Sequence, residues 1–184
     1  GIMWFASSFG ISRYDGFSFV NYDGKSGIPN QAFRKIKVDE KGIVWALPEH
    51  KFDTIIYLKN NKWWRIVPPA EIYQNHQINS FDIIYKNDKP VICVGSYDGF
   101  YINENNTWTQ YPLSTKESMN YVYTVVASNH KFYLSTKIGL CIFEDGKLDW
   151  SLNKLIKPFG LNIISINFEH KNSPYKKLWV LNEN

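Results

Sequence analysis

Cysteine is scarce in this chain: 184 residues hold two, Cys93 and Cys141, which stand 48 residues apart. A lone pair so widely separated lacks both zinc-type spacing and the density of a disulfide scaffold. Each lies in an apolar run, so both read as buried free thiols. Charge is sparse as well, at 21% of residues with a formal net of +4, and the lysines and arginines are scattered through turns and strand ends. Too few charges exclude a disordered chain, and the lack of a basic patch argues against a nucleic-acid partner. No apolar run approaches the roughly 18 residues of a membrane helix, so no membrane contact is expected of this segment. Gly-x-Ser-x-Gly, phosphate-cradling and calcium-loop motifs are all missing. The four histidines, His50, His76, His130 and His170, share no short ligand spacing. No catalytic residue, metal ligand set or cofactor is therefore expected.

Aromatic residues are abundant, with 7 Trp, 12 Tyr and 12 Phe. Flat rings suit a pleated surface, and helical periodicity is nearly absent. A tryptophan-centred phrase recurs. Gly1-Ile2-Met3-Trp4-Phe5-Ala6-Ser7 returns as Gly42-Ile43-Val44-Trp45-Ala46-Leu47, then more weakly around Cys93, Tyr133 and Trp179, at spacings of 41, 48, 40 and 46. A period in the low forties filled with short apolar segments predicts an array of four-stranded blades, hence an all-β fold.

Residues 31–66 show how one repeat makes one blade. Phe33, Ile36 and Val38 lead into the polar turn Asp39-Glu40-Lys41-Gly42, and Ile43 to Leu47 is the apolar run of a strand covered on both faces. Thr54 to Leu58 supplies the third strand, Lys59 to Lys62 the turn, and Trp63 to Ile66 the fourth strand before Pro68. Trp63 and Trp64 should point to opposite faces. The other repeats follow the same order, giving blade pieces over 1–22, 31–66, 78–111, 120–150 and 163–184. The expected architecture is one β-propeller segment over 1–184, with about four to four and a half antiparallel blades. Its uncovered edges lead us to expect further blades of the same chain in a larger propeller.

The links between repeats are long and variable, as on the binding face of a repeat array. Gln31, Asn79 and Asn120 stand two residues before Phe33, Phe81 and Val122, and Asn162 lies one residue closer to its partner. In a propeller the starts of the innermost strands surround the channel, so these amides either tie each link to its neighbour or converge on a bound polar molecule. Tyr97, with Asp98 beside it, and Tyr121 lie at or next to these loops. Either core packing or ring stacking on a sugar-type ligand accounts for such aromatics. His50, beside Glu49, completes the candidate ligand-binding set.

From Gly1 to Tyr22, through Gly10-Ile11-Ser12-Arg13-Tyr14-Asp15-Gly16 and Gly27-Ile28-Pro29-Asn30, and on through Val38-Asp39-Glu40-Lys41-Gly42-Ile43-Val44-Trp45, the chain resembles the two-component regulator propeller repeat. The family's Gly-Thr after the tryptophan is Ala6-Ser7 here and Leu47-Pro48 in the second repeat, which also lacks the Gly-Leu element. The third repeat keeps Gly95-Ser96 and the fourth Ser135-Thr136. The resemblance implies a non-catalytic, periplasmic sensor propeller in a membrane-bound signalling protein, often a hybrid histidine kinase. Such propellers sense small polar ligands, frequently oligosaccharides, or mediate homodimerisation. Two rivals stand beside it: a protein-docking propeller scaffold without a small ligand, and a metal-dependent propeller lyase in which His50 and Glu49 imitate a catalytic pair.

Overall fold

The structure, a computed structural model, describes residues 1–49, 54–70, 78–157, 163–168 and 177–182. It is built almost wholly of strands. β1 (Met3–Ser7), β2 (Gly10–Tyr14) and β3 (Phe19–Tyr22) form a three-stranded sheet, and β4 (Phe33–Val38), β5 (Val44–Pro48), β6 (Ile55–Lys59) and β7 (Lys62–Ile66) a four-stranded one. β8 (Ser80–Lys86), β9 (Lys89–Ser96), β10 (Gly99–Glu104) and β11 (Thr107–Tyr111) make the next four-stranded sheet. β12 (Val122–Ser128), β13 (Lys131–Thr136), β14 (Gly139–Glu144) and β15 (Lys147–Asp149) make another, and β16 (Ile163–Phe168) pairs with β17 (Leu178–Asn182). Among the described residues every pairing is antiparallel between strands that follow one another. The fold class is thus all-β, a segment of antiparallel propeller blades. Described helical turns include Asn153–Ile156 and two 3-10 turns, Gly24–Ser26 and Glu117–Met119.

Two compact units divide the chain, Gly1–Asn75 and His76–Asn184. In the first, Trp4, Ala6, Ile11 and Tyr22 of the leading sheet pack on Val44, Ala46, Ile56 and Trp63 of the next. In the second, Cys93, Phe100 and Ile102 meet Val125, Phe132, Leu134, Cys141 and Phe143, while Tyr133 and Leu140 meet Ile163, Ile166 and Leu178. Side chains alternate across a strand, so β13 serves two interfaces at once, with Phe132 and Leu134 on one side and Tyr133 on the other. That is why these segments read as unbroken apolar runs. Burying each Leu or Phe there contributes about 1.5–3 kcal/mol. The two cysteines are free and buried, and burial pushes the Cys141 thiol up, leaving it an inert core residue.

Two-residue turns close most hairpins. Asn60-Asn61, Asn87-Asp88, Asn105-Asn106 and Asn129-His130 hold positive φ at both positions, as does Asp145-Gly146. This is the twist that matches right-handed strands, and asparagine and aspartate tolerate it best among residues with a Cβ. His130 is therefore a turn residue.

The longer turn between β4 and β5 is organised by Asp39. One carboxylate oxygen accepts from the Lys41 and Ile43 amides at 2.9 and 2.8 Å. The other accepts from the buried Trp45 indole Nε1 at 2.7 Å, and the Trp45 ring stacks on Tyr57 at 4.8 Å. Trp63 and Trp64 split as the period requires, with Trp63 in the core and Trp64 exposed beneath the Lys62 ammonium. Replacing Asp39 with Ala strands the indole N–H and opens the turn. A loss of about 2–4 kcal/mol is expected by chemical denaturation, against a smaller loss for Asp39→Asn.

Candidate functional site

The hairpins after each second strand and the links between repeats share one end of the sheets, because each repeat runs down, up, down and up. In the second unit this end carries Asn79, Tyr97, Asp98, Asn120 and Tyr121. Gln31 lies at the same end of its own repeat in the first unit. His50 and Asn162 lie outside the described residues, as do His76 and His170.

The hairpin between β9 and β10 is locked. Ser96 Oγ donates to the Gly99 carbonyl at 3.2 Å and accepts from the Asp98 amide at 3.3 Å. The same pair of bonds recurs at Ser7 with Gly10 and Phe9, and at Thr136 with Gly139 and Ile138. Gly99 holds φ +126°, and a Cβ there would stand 2.6 Å from the Tyr111 carbonyl oxygen, which is backbone. This explains the Ser/Thr-x-x-Gly element of the repeats: the hydroxyl closes the turn, and the glycine lets the end of the last strand at Gly10 and Gly99, or the Asn153 side chain at Gly139, pass close behind it.

Asp98 adds a second layer. Its carboxylate accepts from Tyr101 Oη at 2.6 Å and from Gln110 Nε2 at 3.2 Å, and shares the single Ser96 hydroxyl proton with the Gly99 carbonyl. These bonds commit Asp98 to holding the hairpin. The consequence is a rigid mount for Tyr97, which remains 46% exposed. The Tyr97 ring meets Tyr121 edge to face at 4.6 Å, and Tyr121 meets Tyr123 at 4.5 Å, making a run of three rings. Tyr121 is fixed from behind by the Lys137 amide, which donates to its carbonyl at 2.9 Å.

The amides divide differently from the sequence expectation. Asn79 Nδ2 donates to the Val122 carbonyl at 3.0 Å, tying one repeat to the next. The buried Asn120 Oδ1 accepts from the Leu113 and Ser114 amides at 2.8 and 2.7 Å, bracing its own link. Both side chains thus have structural partners. Gln31 is half-buried, and its Nε2 is buried with no hydrogen-bond partner.

Nor are the three amides equivalent. Register shifts occur between Phe33 and Lys35, Val122 and Thr124, and Ile163 and Ser165. Ser80 faces Gly95 as Thr124 faces Ser135, which makes Ile78 the counterpart of Val122. Asn79 therefore occupies the bulge position of Arg34 and Tyr123, three places on from that of Gln31 and Asn120. The apolar Phe81 disguised this in the sequence, since a one-residue bulge leaves the hydrophobic period legible on both sides of it.

Sequence reasoning also passed over the polar seam between β8 and β12. Ser80 Oγ accepts from the Val125 amide at 3.1 Å, and the buried Asp82 Oδ2 accepts from the Ala127 amide at 2.8 Å. Thr124 Oγ1 reaches the Ile164 carbonyl at 3.3 Å in the following repeat. Alternating polar residues in the first strands were the available signal. At the opposite end, the Lys86 ammonium beside Asp145 holds that carboxyl below its ordinary value and bridges two repeats at 2.9 Å. It sits at the mouth of a cavity of about 40 Å³, water-sized and walled by Ile84, Val91, Phe132 and Phe143. Among the described residues no cluster of His, Cys, Asp or Glu is arranged to hold a metal ion. No described helix is long and apolar enough to cross a membrane, which leaves strand-built spans aside.

No protein family matches the chain by sequence, and no curated protein does. Solved structures do share its fold. The extracellular domain of the putative hybrid two-component system BT3049 from B. thetaiotaomicron is 17% identical, over 100% of this chain and 27% of that one, with a TM-score of 0.62. That of BT4673 from the same organism is 14% identical over 80% of this chain and 20% of its own, at 0.58. PorZ, a bacterial surface component of the type-IX secretion system of Porphyromonas gingivalis, is 13% identical over 98% of this chain and 29% of its own, at 0.65. This chain spans between 20% and 29% of those three. At such identities the likeness is one of fold.

The hairpin lock generates a test. Gly99→Ala forces a side chain onto left-handed backbone and against the Tyr111 carbonyl. A stability loss of more than about 2 kcal/mol in a denaturant titration is expected, while Gly146→Ala, whose Cβ would meet nothing within 4 Å, should cost less.

Proposed function

We propose that this chain is a segment of the extracytoplasmic sensor propeller of a two-component signalling protein, similar to the two-component regulator propeller repeat, and that it binds a small polar ligand of the oligosaccharide class. The observation that carries the ligand reading is the Tyr97, Tyr121 and Tyr123 run, mounted on a hairpin locked by Ser96, Asp98 and Gly99. A rigid exposed ring offers a face for the C–H edge of a pyranose at little entropic cost. Asp98 serves here as a positioning residue, and Asn79 and Asn120 brace the backbone on either side of the rings through Val122 and through Leu113 and Ser114. The fold relationship to extracellular domains of hybrid two-component systems supports the sensor class. Signalling would proceed by population shift, the ligand favouring one packing of the sensor over another. The reading assigns no catalysis to this segment.

The likeness to PorZ, a surface component of a secretion system, favours a second reading, a docking scaffold without a small ligand. Titration of the protein with a panel of neutral oligosaccharides, followed by ligand-observed NMR, separates the two. Binding is expected, weakened about tenfold or more by Tyr97→Ala and retained by Tyr97→Phe. Absence of binding across the panel, or equal binding by Tyr97→Ala, would overturn the ligand reading.

A further inference from the structure

Lysines at the two ends of the second unit have different surroundings. At the end away from the tyrosine run two ammonium groups are paired, Lys86 with Asp145 at 2.9 Å and Lys131 with Glu144 at 2.8 Å. At the tyrosine end Lys116, Lys137 and Lys154 are exposed, and among the described residues no carboxylate pairs with any of them. The acids nearby are largely engaged. Asp98 is held by Tyr101 and Gln110, and Asp149, at the end of β15, accepts from the Ser151 amide and hydroxyl at 2.7 and 3.0 Å. Glu117, beside Lys116 in its 3-10 turn, is the exposed acid that remains.

Lys137 is the lysine that the fold ties to the rings. It stands at the tip of the hairpin between β13 and β14, which Thr136 Oγ1 closes by donating to the Gly139 carbonyl and accepting from the Ile138 amide. Its own amide donates to the Tyr121 carbonyl at 2.9 Å, one step beyond the Val122 and Thr136 pair of the ladder. The side chains of Lys137 and Tyr121 therefore start from hydrogen-bonded neighbours. A flexible four-carbon stem lets the ammonium reach over whatever lies on the rings. The hairpin is also braced from behind, since Asn153 Oδ1 accepts from the Leu140 amide at 2.8 Å. Its root is thus as firmly mounted as that of Tyr97, while its charge is unspent.

We propose that Lys137 reads charge on the ligand: the saccharide stacked on Tyr97 and Tyr121 carries an anionic group, a carboxylate or a sulfate ester, which the Lys137 ammonium receives. This inference rests on the saccharide reading above and adds the class of saccharide. Stacking fixes the plane of a sugar ring but is indifferent to its substituents, whereas a single mounted cation discriminates between them. No ion pair has to be broken to free that cation. Lys116 and Lys154 add positive potential from the link before Tyr121 and from the turn braced on Gly139. Because the ammonium is exposed, the preference is modest and salt-dependent.

The test sets maltose, cellobiose and laminaribiose each beside its uronic acid and its O-sulfated counterpart, titrated into the protein at low ionic strength and followed by ligand-observed NMR. The anionic form of at least one set should bind about threefold tighter or more than the neutral form, and the counterpart that gains, uronate or sulfate ester, identifies the group. Lys137→Ala should bring the anionic form down to the affinity of the neutral one, Lys137→Arg should keep the gain, and added salt should shrink it. Lys147→Ala removes the same charge from the hairpin at the opposite end and should leave the gain intact. Equal affinity for neutral and anionic forms overturns the Lys137 assignment and leaves the saccharide reading standing. So does a gain that survives Lys137→Ala, or one that Lys147→Ala abolishes equally. Binding of no disaccharide, charged or neutral, overturns both.

Discussion

The packing of this molecule hangs on interior second strands, such as β13, that meet a sheet on each face. A strand flanked by two sheets must be apolar at every position, and the two-residue period then deals its side chains alternately to the sheets before and behind. In β13 Phe132 and Leu134 go to the sheet before and Tyr133 to the sheet behind. A slip of one residue would exchange the two sets, matching large residues with large. The constraint therefore sets register within a sheet and packing between sheets in a single stroke. It also explains why the tryptophan phrase decays along the chain: Trp45, Cys93 and Tyr133 fill gaps of different depth, and Gly95 is obligatory where a Cβ would strike Val122 at 2.5 Å.

The polar residues that survive inside this scheme stand at the seams. Ser80 and Asp82 reach across to amides of β12, and Thr124 reaches on to the next repeat, so hydrogen bonds join first strands that do not pair as a ladder. A buried carboxylate is tolerable there because backbone donors meet it. Asp39 acts in the same way within one repeat, with two turn amides and an indole converging on its oxygens. Aspartate in this chain is largely an organiser of backbone, and that weakens any reading of its acidic residues as chemistry.

Strand identities, turn positions and the split of Trp63 from Trp64 were legible in the residues because they follow from period and turn chemistry. Long-range register was not. The bulges before Lys35, Thr124 and Ser165 shift one residue without disturbing the apolar rhythm, and so Asn79 read as the partner of Gln31 and Asn120. The candidate site was legible in location more than in role. Loops, amides and tyrosines pointed to one end of the sheets, where Asn79, Tyr97, Asp98, Asn120 and Tyr121 do gather, but only coordinates distinguish an Asn120 engaged by Leu113 and Ser114 from one facing outward.

That division of labour bears on how such a site diversifies. The Ser/Thr-x-x-Gly lock recurs at residues 7–10, 96–99 and 136–139, with the same two hydroxyl bonds each time. What the lock presents differs: an 86% exposed Phe9 in the first, Tyr97 in the second, Lys137 in the third. The residue after the hydroxyl or the one following it has no duty in the turn beyond its backbone, so it is free to vary while the geometry beneath it stays constant. A fold that fixes the mount and releases the tip separates stability from recognition. On that argument the hairpin tip at position 97, rather than the carboxylate at 98 or the amides at 79 and 120, is the part of the candidate site that can change without disturbing the fold.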